Sequence, residues 1–148
     1  MAFNLLLYWK SNTTMKGFTY TLAFIWLIAC SPKSFPDSNW EGKKWVLIEL
    51  NGNPVQVSGT DKDAHIQFDA ESKQISGNGG CNRIFGPYEI EKNEQLQFGN
   101  LGSTMMACPD SRFENAFLEA IRAVRSYAYE EGQLILKNGA GTEIIRLQ

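Results

Sequence analysis

Gly77-Asn78-Gly79-Gly80-Cys81-Asn82 and Thr104-Met105-Met106-Ala107-Cys108-Pro109 decide how this chain folds. Each sets a cysteine among turn-forming residues, and no other cysteine follows Cys30. The first stretch continues a short β-forming run, Gln74 to Asn78. The second leads into the one segment with a helical period. If the two thiols pair, the bond ties a glycine-rich loop to the start of that helix.

The helix is marked by Phe113, Ala116, Phe117, Ala120, Ile121 and Val124. Their spacing of three and four residues lines one helical face. Ser111 and Glu114 stand at the spacing of a capping box, in which each side chain satisfies a free backbone N–H. Arg122 and Arg125 are expected in the last turn, where positive charge offsets the helix dipole. Before the helix, Trp45 to Leu50 is a β-forming run that stops at the turn residues Asn51-Gly52-Asn53-Pro54. His65 to Asp69 alternates apolar and polar. Tyr88 and Ile90, then Leu96 and Phe98, alternate with polar residues around a turn at Lys92-Asn93, the pattern of a hairpin. After the helix come Tyr127 to Glu130, Leu134 to Lys137 and Glu143 to Leu147, separated by Glu131-Gly132 and by Asn138 to Gly141. About five strands, one helix and three strands make an α+β fold that is mainly β. Sequential hairpins predict an antiparallel sheet, curled or barrel-like, with the helix covering an open side.

The N-terminal segment carries a different message. Phe18 to Ala29 is an apolar run with Lys16 before it, the charged and hydrophobic parts of a secretory signal. It falls short of the ~18–20 apolar residues that span a bilayer. Residues 1–29 are therefore expected to be a signal peptide, with Met15 as an alternative start. Residues 30–39 form a polar, proline-containing tether, and residues 40–148 form the folded domain. Of 14 Lys and Arg and 16 Asp and Glu, only Lys10 and Lys16 precede Cys30, so the mature net charge falls from −2 to −4. Acids and bases are interleaved, without the basic footprint that a nucleic-acid partner requires. Export would place Cys81 and Cys108 where disulfides persist.

Several chemistries can be weighed on the motifs. A phosphate loop needs a helix directly after its glycines, whereas Phe85-Gly86-Pro87-Tyr88 and a strand follow here. Tight-turn glycines are the better reading. A cysteine nucleophile needs a nearby base, and the only histidine, His65, sits on the polar side of a strand. Cys81, Cys108, Met105 and Met106 are soft ligands of the kind that suits Cu(I), but the two methionines are adjacent and diverge in an extended chain. A disulfide accounts for both cysteines at once. Glu89 and Glu91, and Glu130 and Glu131, read as solvated pairs, leaving no catalytic residue, metal site or cofactor to name.

Trp45 and Leu47, the Gly77–Asn82 loop with Gly86 and Tyr88, the Met-Ala-Cys-Pro segment with Glu114 and Phe117, and Leu134 with Leu136 together resemble the META domain. Bacterial members of this family resemble HslJ-type lipoproteins. The resemblance runs from about Trp40 to the C-terminus. It implies a cracked antiparallel β-barrel with one helix and a Cys81–Cys108 bond, and no agreed enzymatic activity. Leu27-Ile28-Ala29-Cys30 likewise resembles the lipobox of bacterial lipoproteins, which implies that Cys30 is lipidated and becomes the mature N-terminus. Two or more acyl chains would then hold the protein on a membrane stably.

The expected function is that of a non-enzymatic envelope lipoprotein, facing the periplasm or the cell surface, with a barrel that serves interaction or stress responses. The alternative is a carrier or chaperone that loads a lipid or hydrophobic ligand into the barrel. A thiol redox role has no Cys-x-x-Cys pair behind it. Any contact with an envelope protein or lipid is expected at a rim of Asn78, Asn82, Arg83, Thr104, Met105 and Met106.

Overall fold

The structure, a computed structural model, describes residues 40–148; the predicted signal, Cys30 and the tether up to residue 39 lie outside the described residues. In chain order the elements are β1 (Lys44–Leu50), β2 (Asn53–Pro54), β3 (His65–Asp69), β4 (Gln74–Asn78), β5 (Arg83–Glu91), β6 (Gln95–Phe98), β7 (Gly102–Ser103), α1 (Arg112–Ala123), β8 (Val124–Glu130), β9 (Gln133–Asn138) and β10 (Glu143–Leu147). Eight strands close an antiparallel barrel in the order β1-β3-β4-β5-β6-β8-β9-β10, with β10 returning to β1. The two-residue strands β2 and β7 extend β1 and β5. Sequence periodicity misses both because two residues show no period.

Three hairpins turn through residue pairs with positive φ. These are Asn51 and Gly52 (51° and 77°), Asn93 and Glu94 (63° and 60°), and Glu131 and Gly132 (51° and 82°). Two left-handed residues in succession give the primed turn, whose twist matches that of the flanking strands. Alternation then sorts the side chains: along β5, Ile84 and Tyr88 are buried while Arg83, Phe85 and Glu89 are exposed. Trp45, Phe68, Tyr88 and Phe117 fill the barrel together with branched aliphatics such as Leu47 and Ile66. Ring contacts run through this core, with Trp40 edge-on to Phe68 at 4.7 Å and Phe68 edge-on to Tyr88 at 5.1 Å. Each fully buried large side chain contributes about 1.5–3 kcal/mol.

The seam between β6 and β8 is the thinnest in the barrel. It has one register pair, Gln95 with Ser126, and one further bond, from the Tyr127 N–H to the Glu94 carbonyl at 2.9 Å. The helix packs against β6 and β10, covering this side of the sheet as expected. Its chain then passes without a loop into β8 at Val124, which is fully buried.

Two details of the helix differ from the sequence reading. The capping box does not form: the Ser111 side chain makes no cap bond. Asp110 instead accepts the Arg112 N–H at 2.9 Å and grips the Arg112 guanidinium at 2.7 Å. The buried stripe is Glu114, Phe117, Leu118, Ala120 and Ile121, rotated from the expected face, so Phe113 remains 38% exposed. Arg125 lies in β8 and not in the last helical turn, yet its Nη1 still donates to the Arg122 carbonyl at 2.9 Å. It thus satisfies an orphan helical carbonyl from outside the helix.

Candidate functional site

The loop between β4 and β5 forms a bed for the first turn of α1. A Cβ on Gly79 would lie 2.8 Å from Glu114 Cγ, and one on Gly80 would lie 3.0 Å from Phe113 Cδ1. Gly80 also has φ +112°, a conformation that side chains disfavour. The glycines are therefore required by close approach of the helix, consistent with the turn reading of the sequence. Cys81 and Cys108 meet beside this contact as a disulfide, with Cα atoms 6.3 Å apart and a sequence separation of 27.

Asn82 occupies the centre. It is 6% exposed, and its backbone N–H and side-chain Nδ2 donate to the two oxygens of Glu114 at 2.6 and 2.9 Å. Nδ2 also approaches Cys108 Sγ at 3.4 Å. On the other side, Oδ1 accepts the Thr104 hydroxyl at 3.0 Å and the Met106 N–H at 2.7 Å. Its carbonyl accepts the Gly79 N–H at 2.8 Å. One side chain thereby connects the glycine loop, the helix and the 104–108 segment. Such a buried polar group is stable only when its bonding capacity is used, and here it is.

Thr104 adds two bonds to β5: its hydroxyl accepts the Arg83 N–H at 3.0 Å, and its own N–H donates to the Arg83 carbonyl at 3.0 Å. The chain therefore reaches Met105 and Met106 already fixed. Met105 is 98% exposed and Met106 64%. Asn78 and Arg83 close the β4–β5 register as partners, both on the outer side of the sheet. The six rim residues are thus close in space but differ in what they do. Asn82 faces inward and Thr104 braces it from the exposed 104–107 stretch, Met105 and Met106 point outward, and Asn78 and Arg83 belong to the neighbouring sheet face.

Glu114 is the residue that the capping-box reading misassigns. Its signal is present, because it stands three, four and seven residues before Phe117, Leu118 and Ile121, in phase with the buried stripe. A carboxylate in that phase requires partners, and only the fold shows that Asn82 supplies them. Glu114, Cys81 and Cys108 also place three ligand-type atoms within 4.8 Å of one another. With the sulfurs joined, no thiolate is available to a metal, and both Glu114 oxygens are engaged by Asn82. His65 stands in β3, outside this brace; its Nδ1 donates to the Asp63 carbonyl at 2.7 Å. The opposite end of the barrel holds Tyr88, whose hydroxyl contacts Glu41 and the Asp69 carbonyl. Burial, and then the bond to Glu41, raise its pKa above the ordinary tyrosine value.

The comparisons with known proteins agree with this architecture. A family model described as the META domain matches residues 38–148. Among solved structures, an NMR structure of a protein from Burkholderia xenovorans is 22% identical with a TM-score of 0.58, covering 74% of this chain and 83% of that one. A second protein solved by NMR is 24% identical at the same TM-score, covering 74% of this chain and 91% of its own. A crystal structure of a DUF4847 family protein from Bacteroides vulgatus is 15% identical with a TM-score of 0.53, covering 73% and 92%. At these identities the likeness is one of fold. Among curated proteins no significant match is found.

Proposed function

The chain belongs to the META domain family, and from that premise we propose that it is a cell-envelope lipoprotein whose barrel is a binding module rather than an enzyme. The observation that carries the binding role is the presentation of Met105 and Met106. Two large apolar side chains stand in solvent on a segment held by the disulfide, by Asn82 and by the Thr104–Arg83 bonds. A fixed apolar surface loses little entropy on association, and methionine adapts to varied partners. Lipidation at Cys30 is supported by the Leu27-Ile28-Ala29-Cys30 sequence after an apolar run. The anchor would be acyl chains: among the described residues no helix is long and apolar enough to cross a membrane.

The carrier alternative meets a filled interior. Trp45, Phe68, Tyr88 and Phe117 occupy the space where a lipid would lie, and admitting one would require displacing them from close packing. The test therefore addresses the anchor and the surface separately. Cys30→Ser should abolish incorporation of labelled fatty acid and release the protein from membranes; a labelled, membrane-bound variant refutes the anchor. A photo-crosslinker at Met105 in the native envelope should give a discrete adduct that Met106→Glu removes without lowering the melting temperature. An adduct pattern identical to that of a crosslinker placed at exposed Lys92 refutes the surface.

A further inference from the structure

The outer face of β3, β4 and β5 carries a groove of about 460 Å³ distinct from the methionine surface. This is the size of a small-molecule site. Antiparallel register places His65, Asn78 and Arg83 in one row across the three strands, and Gln67, Ser76 and Phe85 in the next. The groove is lined by Asp61, His65, Ser76, Asn78, Arg83 and Phe85. From this arrangement we infer that the groove binds a small aromatic carboxylate, with the carboxylate on Arg83 and Asn78 and the ring on Phe85.

Three features support that ligand chemistry. Arg83 is exposed and forms no ion pair among the described residues. Its fork of donors is therefore available to a carboxylate, which it can hold in a bidentate pair. Asn78 Oδ1 accepts the Gly80 N–H at 2.6 Å. That fixes the amide orientation and leaves its two Nδ2 hydrogens to donate. Phe85 is 52% exposed although its ring lies directly over Gly102, where a Cβ would come within 2.5 Å of Cε2. The bare backbone of Gly102 thus seats one face of the ring and leaves apolar area for a second ring to stack.

The walls are organised before any ligand arrives. His65 is held through Nδ1 by the Asp63 carbonyl. The Asp63 carboxylate in turn accepts the Ser58, Gly59 and Thr60 N–H groups and the Ser58 hydroxyl, at 2.7–3.1 Å. The acid at the edge, Asp61, is ion-paired to Lys44 at 2.7 Å. Arg83 therefore sets the sign of the groove, which favours an anion although the chain as a whole is acidic.

The test uses the full chain labelled with 15N and titrated with 2-naphthoate, with neutral 2-naphthamide and inorganic phosphate as separate arms. Naphthoate should shift the amides of Ser76, Gly77, Asn78, Ile84 and Phe85, and the amide analogue should bind about ten-fold more weakly for want of the charged pair. Arg83→Gln should weaken naphthoate about ten-fold and Phe85→Leu several-fold, each with the remaining amide spectrum unchanged. Equal affinity for acid and amide overturns the inference, as do shifts that fall elsewhere or fail to appear. Displacement of naphthoate by an equal concentration of phosphate overturns it too, because the aromatic group would then contribute nothing. The comparison of acid with amide is made on the unaltered chain and decides the matter even if a variant misfolds. Failure here leaves the methionine surface untouched, since neither Met105 nor Met106 lines the groove.

Discussion

Replacing Glu114 by Gln changes one oxygen into an NH2 group at nearly constant volume, so it isolates the brace from the packing around it. Glu114 is 5% exposed and accepts two N–H bonds from Asn82, at 2.6 and 2.9 Å. The glutamine oxygen can replace one acceptor, while its amide nitrogen must face the other Asn82 donor. A hydrogen bond to a charged group contributes about 1.5–3 kcal/mol, and an unpaired buried N–H costs about 1–3 kcal/mol. Allowing for relaxation, Glu114→Gln should destabilise the domain by about 2–4 kcal/mol. That is a large share of the roughly 5–15 kcal/mol typical of a domain. The assay is equilibrium urea unfolding at neutral pH with the disulfide intact, carried through a cycle with Asn82→Ala. The two changes should fall short of additivity by more than about 1 kcal/mol, because both disrupt the bond from Asn82 Nδ2 to Glu114, while the Asn82 backbone N–H keeps its acceptor in the alanine variant. A Glu114→Gln variant within about 0.5 kcal/mol of the parent, or strict additivity with Asn82→Ala, refutes the brace.

Removing the bond between Cys81 and Cys108 by a double serine substitution frees a loop of 28 residues, counting both ends of the 27-residue separation. By chain entropy this costs about 3.6 kcal/mol, and urea unfolding should show a loss of at least about 2. Gly79→Ala should cost about 1–3 kcal/mol by pushing against Glu114 Cγ. The cost should shrink when Glu114 is itself truncated to Ala; an undiminished cost places the clash elsewhere. The bond from the Ser58 hydroxyl, with the backbone N–H groups, holds the Asp63 carboxyl at a pKa of about 2, below its ordinary 3.8. A depressed acid supports the fold fully above the unfolded value and loses that support as pH falls through about 2. An NMR titration of the Asp63 carboxyl should therefore have its midpoint near 2 and move upward in Ser58→Ala. A midpoint near 4 in the parent contradicts the cradle.

The strands are legible in the sequence because their alternation and turns are local properties. Asn51-Gly52 and Glu131-Gly132 announce primed turns, and Ile66 and Phe68 announce the buried side of β3. The roof-like helix is legible for the same reason, whereas the cysteine pairing is legible because no other cysteine follows Cys30, with the family resemblance adding to it. Glu114 is not, because its partner lies 32 residues away in sequence and the spacing to Ser111 offers a plausible local bond that the fold does not use. Asn82 is placed on the rim by its neighbours, yet it is turned inward. The groove on β3–β5 is equally hidden: it exists only once register sets His65, Asn78 and Arg83 side by side.

The pairing of β1 with β10 joins residues about 100 positions apart, Leu47 with Leu147 and Leu50 with Ile145. Contacts of such sequence separation form slowly. During synthesis, the barrel thus cannot complete itself until its final five-residue strand, Glu143–Leu147, is available. Until then β1 and β9 each keep a bare edge, the kind of template on which chains aggregate. A stop codon only a few residues early would therefore do more than shorten the protein. It would leave a ring permanently unjoined, an unclosed sheet rather than a folded domain with a missing tail.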